Sequence, residues 1–197
     1  MSKNQEKENI WNVPNLLTFL RVISAIIVTY LIFADFSIIY VVIVFVIGMS
    51  TDFFDGFVAR KFNLQTEFGR KFDIIADRML IVGAGLAFII KFSILGILTD
   101  IHYFQFIVIL IREILTIPVA LIAMALGGGI PKVRNIGKAT TFAQSIAFPA
   151  VLLGVFYSFF SFSLYLAVIT GILGLIASIY YINDMKNLVI KKKVEKD

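Results

Sequence analysis

The chain has 197 residues, of which 59% are hydrophobic and 16% are charged, and its formal net charge is +5. Soluble domains usually contain about 45–50% apolar and about 25% charged residues. The composition therefore excludes a soluble protein and indicates a single integral membrane domain over residues 1–197. The chain has no cysteine and only one histidine, His102, which excludes thiolate and imidazole-rich metal sites. A metal site would have to use oxygen ligands, which favours Mg²⁺, Mn²⁺ or Ca²⁺.

The first predicted element is an interfacial amphipathic helix over residues 1–13, in which Trp11 can lie among the lipid headgroups. Six apolar segments follow, each close to the roughly 20 residues that cross a bilayer as a helix. These segments cover residues 14–33, 37–60, 69–91, 102–126, 138–159 and 163–184, and a basic tail follows over residues 185–197. The predicted fold is therefore all-α, with six transmembrane helices.

The basic residues predict the orientation of these segments in the membrane. Most of them lie near the N-terminus, in the 2–3 and 4–5 turns or in the tail, whereas Lys91 lies toward the opposite side. Because lysine and arginine are concentrated on the cytoplasmic side of membrane proteins, we predict a multi-pass protein of the cytoplasmic membrane with both termini inside. The distribution also assigns the positive charge to membrane topology, and we predict no nucleic-acid partner.

Four aspartates lie at the adjoining ends of the second and third segments. They are Asp52, Asp55, Asp73 and Asp77. The first two are three residues apart and the last two are four apart, so each pair shares one helical face. Four charges at the bilayer centre would cost about 10–14 kcal/mol, so the cluster must either lie among hydrated headgroups or bind cations. Two divalent ions would neutralise it, and paired metals are a recurring device for displacement at phosphorus.

The residues between the aspartates suit a phosphate-containing ligand. Gly56 and Gly69 leave room for close approach of a ligand, although small residues in membranes also serve helix packing. Arg60 lies one helical turn after Gly56 and can fork onto phosphate. The whole string, Asp52-x2-Asp55-Gly56-x2-Ala59-Arg60-x8-Gly69-x3-Asp73-x3-Asp77, resembles the signature of the CDP-alcohol phosphotransferase family at every position.

This resemblance implies a fold, a reaction and a set of site residues. Members of the family have six transmembrane helices and an interfacial N-terminal helix, form homodimers, and transfer a phosphatidyl-type group from a CDP-linked lipid to an alcohol with release of CMP. By resemblance, the four aspartates hold two Mg²⁺ or Mn²⁺ ions, and Asp77 also accepts the alcohol proton. The implied CDP-lipid residues in the motif region are Gly56, Ala59, Arg60, Thr66 and Gly69.

Two further stretches narrow the choice of alcohol. Residues 12–21 resemble the start of phosphatidylglycerophosphate synthases and of the related cardiolipin synthases, and they place Asn15, Thr18 and Arg21 on one helical face. We assign Asn15 and Thr18 to the CDP-lipid, although both residues also suit a helix start next to Pro14. Residues 137–144 resemble the Gly-Lys-x-Lys-Thr-x-x-Gln stretch of the same synthases, with Thr140 in place of the second lysine.

The fourth segment contains Arg112-Glu113, which resembles the Arg-Glu pair of these synthases. A buried charged pair in a span is costly and usually functional. We predict that a group of basic residues binds the phosphate of sn-glycerol 3-phosphate. The group comprises Arg21, Arg112, Lys132, Arg134 and Lys138. For Lys132 and Arg134 a topological role alone explains the charge equally well. Ile74 departs from the proline that many of these synthases carry after the third aspartate.

The predicted reaction joins CDP-diacylglycerol to glycerol 3-phosphate and gives phosphatidylglycerophosphate and CMP. Within the family, a cardiolipin synthase that uses phosphatidylglycerol and an inositol-phosphate transferase remain alternatives. Outside the family, the alternatives are an ion transporter with a carboxylate site and an inactive membrane scaffold. A transporter would be expected to carry charges near mid-span on several helices, whereas a scaffold would not require the complete aspartate motif.

Overall fold

The computed structural model describes residues 12–62, 66–125 and 134–194. Inside these ranges the side chains of residues 52–60, 67–68, 70–71, 123–125 and 191–194 are not described. The described ranges are helical and contain no strand, which confirms the all-α prediction. The helices are α1 (Val13–Phe33), α2 (Ile38–Lys61), α3 (Glu67–Ile94), α4 (Asp100–Ile109), α5 (Ile111–Ala125), α6 (Asn135–Gly154) and α7 (Ser163–Val194), with a 3-10 turn at Ser158–Phe160.

Three segments of the described chain are long and apolar enough to cross a membrane, and a bent pair of helices makes a fourth candidate. The three are Val13–Phe33, Asn135–Gly154 and Ser158–Ile190, and the pair is Asp100–Ile109 with Ile111–Ile122. Among the residues of α2 whose side chains are described, Ile38–Thr51 is a shorter apolar segment. The chain is thus a multi-pass membrane protein with three or four span candidates in its described part. An interfacial helix was predicted for residues 1–13, and residues 1–11 of it lie outside the described residues. Val13 already belongs to α1.

The chain divides into two compact units, Met1–Gly96 and Ile97–Asp197. In the first unit α1 packs along both α2 and α3. Helix α1 begins where the Asn12 side chain accepts a hydrogen bond of 2.9 Å from the Asn15 backbone N–H, as N-cap residues do. At the other end of α1, Lys91 of α3 donates 3.1 Å to the Phe33 carbonyl and pairs with Asp35 at 2.5 Å. A side-chain cap thus stabilises the start of α1, and contacts with α3 stabilise its end.

In the second unit, α7 packs against α4, α5 and α6. The segment predicted as one span over residues 102–126 is instead two helices that meet at Leu110 and are bent by 46°. The glycines of α7 lie against this break. A Cβ on Gly171 would collide with the Val108 side chain, and one on Gly174 would lie 3.2 Å from Cγ2 of Ile111. Small residues on α7 therefore let the bent backbone approach closely.

The last two helices end at positions other than those predicted. Helix α6 ends at Gly154 rather than near residue 159, and the 3-10 turn follows it. Helix α7 continues past the predicted span end at residue 184 as one helix of 32 residues, about 48 Å at about 1.5 Å per residue. That exceeds the roughly 30 Å of a hydrocarbon core. Met185 in this extension is 1% exposed and packs with Ala120 of α5, so packing fixes the start of the predicted tail.

Candidate active site

The described part of the aspartate motif converges on one arginine. Nη1 of Arg21 on α1 donates a hydrogen bond of 2.6 Å to Oδ1 of Asp73 and another of 2.6 Å to Oδ1 of Asp77, both on α3. The two aspartates are four residues apart, so both project from the same face of α3 toward α1. This geometry brings together two residues predicted to hold metal and one predicted to bind the acceptor phosphate.

The arginine of this cluster is more deeply buried than its two carboxylate partners. The Arg21 side chain is 0% exposed, whereas Asp73 is 36% and Asp77 is 17% exposed. A buried guanidinium is stable only when carboxylates or other acceptors satisfy it. The two carboxylates, in contrast, are partly exposed. Arg21 therefore orients two partly exposed carboxylates. Its contact with the acceptor phosphate stays a prediction.

Two of the four predicted metal ligands have described side chains, and two do not. Asp52 and Asp55 lie on α2, but their side chains are outside the description, as are those of Ala59 and Arg60. Among the described residues, no group of three or more His, Asp or Glu side chains is placed to hold a metal ion. Asp73 and Asp77 can nonetheless share one cation, because both reach the same guanidinium nitrogen at 2.6 Å.

Three of the residues predicted to bind the CDP-lipid meet at the start of α3. The Thr66 hydroxyl caps this helix by accepting 2.9 Å from the Gly69 backbone N–H. Asn15 on α1 is buried, and its side chain lies directly over Gly69. Thr18, also buried, donates 3.1 Å to the Pro14 carbonyl. Gly69 thus allows α3 to begin against the polar face of α1, a few residues before Asp73.

Gly69→Ala is expected to reduce turnover about tenfold. A Cβ at this position would overlap Oδ1 of Asn15 and approach Oγ1 of Thr66 to 2.9 Å, and overpacking of this kind costs about 1–3 kcal/mol. The start of α3 would shift away from α1 and carry Asp73 with it. The measurement is CMP release together with thermal unfolding in detergent.

Gly83→Ala on the same helix is the matched control. No described atom lies within 4 Å of a Cβ placed there, and alanine is favoured over glycine inside helices by about 1 kcal/mol. We expect this variant to be at least as stable as the parent and equally active. Equal losses in the two variants would contradict a specific contact between Gly69 and Asn15.

The second unit contains a cluster around Arg112. Its Nη1 donates 3.1 Å to the Gly137 carbonyl and 2.8 Å to the Thr141 hydroxyl, and its Nε lies 3.1 Å from Oε1 of Glu113. The Arg112 side chain is 17% exposed, so part of this side chain remains accessible. Lys138 is exposed on the first turn of α6, close in sequence to Gly137. This unit thus presents two of the predicted phosphate-binding residues on α5 and α6.

Arg134 has a different environment. Its Nε and Nη2 donate 2.7 Å each to the two carboxylate oxygens of Asp184, and its guanidinium lies 4.9 Å from the centroid of the Tyr180 ring. The hydrogen bond with Asp184 raises the pKa of Arg134 above its usual value. Since its charge already has a partner, phosphate binding by Arg134 would compete with this pair. Lys132 lies outside the described residues.

Comparison with known proteins identifies the family. Residues 11–179 match the family model described as CDP-alcohol phosphatidyltransferase. The chain belongs to the CDP-alcohol phosphatidyltransferase family. It is 35% identical over 145 residues to the CDP-diacylglycerol–glycerol-3-phosphate 3-phosphatidyltransferase of Rickettsia bellii (strain RML369-C), which covers 73% of this chain and 76% of the relative. It is 37% identical over 111 residues to the protein of the same name from Bacillus subtilis (strain 168), covering 56% of this chain and 53% of the relative.

A third relative has another name. Over 74 residues the chain is 40% identical to a cardiolipin synthase (CMP-forming)/mitochondrial hydrolase fusion protein of Schizosaccharomyces pombe (strain 972 / ATCC 24843), covering 38% of this chain and 12% of the relative. Membership confirms the resemblance inferred from the aspartate motif, and it makes the chain a phosphatidyltransferase.

Sequence reasoning missed several contacts of this CDP-alcohol phosphatidyltransferase. It gave no role to Thr141 or Gln144, although both lie in the stretch that resembles related synthases. It also did not pair Arg21 with the aspartates. The signal for the α6 residues was available, because Gly137, Thr141 and Gln144 recur at helical spacing on one face. For Arg21, residue spacing within α1 says nothing about which helix it faces.

Proposed function

We propose that this phosphatidyltransferase transfers a phosphatidyl group from CDP-diacylglycerol to sn-glycerol 3-phosphate, giving phosphatidylglycerophosphate and CMP. The observation that carries the proposal is the shared name of relatives that are 32–35% identical over 73% of the chain. The paired carboxylates on α3 suit activation of the CDP-lipid, and the partly exposed Arg112 side chain on α5 suits binding of a dianionic acceptor.

The donor set fits hard divalent cations. Asp73 and Asp77 offer oxygen ligands on one face, partly exposed and already directed at a shared cationic nitrogen, and Mg²⁺ and Mn²⁺ prefer carboxylate oxygens. We infer that Asp52, Asp55, Asp73 and Asp77 together hold two such ions. When bound, these ions neutralise the pyrophosphate and the charge that develops on the leaving CMP. Gly56, Ala59 and Arg60 of α2 would flank the nucleotide.

The reaction also requires an acceptor for the proton of the attacking hydroxyl. As the hydroxyl oxygen bonds to the phosphorus next to diacylglycerol, the bond from that phosphorus to the CMP oxygen breaks. We assign the released proton to Asp77, the less exposed of the two carboxylates at 17%. An aspartate is a weak base, with an ordinary pKa of about 3.9, but a loose transition state at phosphorus requires proton transfer only late.

We assign the acceptor phosphate chiefly to Arg112. It is held by three described contacts yet remains partly accessible, and a guanidinium binds a phosphate dianion in a fork that lysine cannot reproduce. Lys138 would add charge. Arg134 contributes less in this scheme because Asp184 already neutralises it.

The membrane arrangement completes the proposal. We propose six spans, with α2 and α3 each crossing the bilayer and their charged ends at the cytoplasmic face, where CDP-diacylglycerol and glycerol 3-phosphate meet. Both termini would be cytoplasmic, in accord with the basic residues near each of them. We also propose a homodimer in the cytoplasmic membrane, on the basis of the family resemblance.

An acceptor assay tests this function directly. Purified protein with CDP-diacylglycerol and Mg²⁺ is expected to incorporate radiolabelled glycerol 3-phosphate into lipid and to release one CMP for each label incorporated. Phosphatidylglycerol and inositol phosphate are supplied in parallel as competing acceptors. Incorporation of phosphatidylglycerol without glycerol 3-phosphate would replace the proposal by cardiolipin synthesis, which the fission-yeast relative makes the second candidate.

A further inference from the structure

A buried polar network lies at the break between α4 and α5. Glu113 is 2% exposed and Gln144 is 0% exposed. Nε2 of Gln144, on α6, donates 2.9 Å to the carbonyl of Ile109 at the end of α4 and 2.8 Å to Oε2 of Glu113 in the first turn of α5. Helix ends leave backbone groups without partners inside the helix. One side-chain amide therefore holds the two sides of the bend together.

The same network fixes the Arg112 guanidinium. The second oxygen of Glu113, Oε1, lies 3.1 Å from Nε of Arg112, while Nη1 is held by Gly137 and Thr141 of α6. Among the described residues, acceptors contact Nε and Nη1 of this guanidinium but not Nη2. An arginine carries five N–H donors in a planar fork. The network thus orients the group while leaving one nitrogen for a ligand.

Stability alone does not explain this arrangement. Oε1 of Gln144 is buried and has no hydrogen-bond partner among the described residues, and an unsatisfied buried acceptor destabilises a protein. Glu113 is a carboxylate buried in a membrane segment, which is also unfavourable. A span under selection for packing alone would place apolar residues at both positions.

We propose that Glu113 and Gln144 are positioning residues that hold Arg112 in the orientation that binds the phosphate of the acceptor. Gln144 fixes the carboxylate of Glu113 and the backbone bend, and Glu113 fixes the plane of the guanidinium. The inference rests on the proposed use of glycerol 3-phosphate. It assigns acceptor affinity to two side chains that need not touch the acceptor.

The test compares two buried glutamines of the same unit. Gln144→Met removes the link to Glu113, and Gln105→Met removes a buried hydrogen bond of 3.0 Å from Nε2 to the Ser163 hydroxyl, away from Arg112. We expect Gln144→Met to raise the KM for glycerol 3-phosphate about tenfold, as loss of one charge-assisted contact would. The KM for CDP-diacylglycerol should change less than about twofold. Gln105→Met should lower thermal stability without changing either KM.

A milder variant covers the case in which Gln144→Met does not fold. Thr141→Val on the partly exposed face of α6 removes one acceptor of Arg112 and should raise the KM for glycerol 3-phosphate about threefold to tenfold. The positioning role is wrong if folded Gln144→Met or Thr141→Val keeps the parental acceptor KM, or if Gln105→Met raises it equally. A parent protein that does not use glycerol 3-phosphate would refute the proposed function instead, and the positioning role with it.

Discussion

Asp73→Asn is expected to reduce CMP release from CDP-diacylglycerol at least about a thousandfold. The substitution keeps the shape of the side chain but removes a charge from the pair that converges on Arg21. Metal ions contribute several kcal/mol of charge stabilisation in such displacements, and about 1.4 kcal/mol corresponds to a factor of ten in rate. Loss of one proposed metal ligand should therefore remove most of the activity.

Three comparisons make this expectation specific. EDTA should abolish activity of the parent, and excess Mg²⁺ or Mn²⁺ should restore it. Asp77→Asn should lower the rate more than it weakens CDP-lipid binding, because it removes the proposed proton acceptor. Asp35→Asn removes an acidic group that is 82% exposed and pairs with Lys91, so its activity should stay within about twofold of the parent. Full activity of Asp73→Asn, or of the parent in EDTA, would exclude a metal-assisted reaction.

The sequence is sufficient to predict that Asp73 and Asp77 share one face of α3, but not that Arg21 of α1 contacts them. Spacings of three and four residues place each aspartate pair on one helical face in any helix, so Asp73 and Asp77 could be paired without coordinates. Arg21 was predicted to bind phosphate, and the structure shows it fully buried against these two carboxylates. The contact of Arg21 with these carboxylates could not be predicted, because the rotation of α1 relative to α3 depends on packing at contacts such as Asn15 with Gly69.

For the helices, too, some features could be predicted from the sequence and others could not. Apolar runs located every span candidate of the described chain, because hydropathy depends on composition alone. The break at Leu110 was not predicted, since residues 102–126 carry no glycine, and their proline, Pro118, lies eight residues after the bend. The bend is supported instead by Gln144 and by glycines of α7, which are distant in sequence. Contacts of this kind cannot be inferred from the periodicity of one segment.

Arg21 also predicts how the site responds to metal. The guanidinium supplies a fixed positive charge between two carboxylates that would also hold divalent ions. Bound cations and Arg21 therefore repel one another across the same oxygens. Its positive charge should weaken metal binding and favour the anionic pyrophosphate of the CDP-lipid. The protein would then hold its metals most firmly when the nucleotide is also bound.

Arg21→Met is accordingly expected to tighten Mn²⁺ binding about tenfold or more while lowering kcat/KM for CDP-diacylglycerol by a similar factor. Without metal, the free energy of unfolding of this variant should fall by less than the roughly 3–5 kcal/mol typical of a broken buried ion pair. The reason is that Asp73 and Asp77 are partly exposed and can be hydrated. Electron paramagnetic resonance titration with Mn²⁺ measures the affinity independently of turnover, and thermal unfolding in EDTA measures the stability. Lys91→Met is the control, because it removes a positive charge of the same unit that pairs with Asp35 and not with Asp73 or Asp77. The Mn²⁺ affinity of this variant should match that of the parent. Weaker Mn²⁺ binding in Arg21→Met would show the opposite balance, in which the arginine serves the metals chiefly by holding their ligands in place.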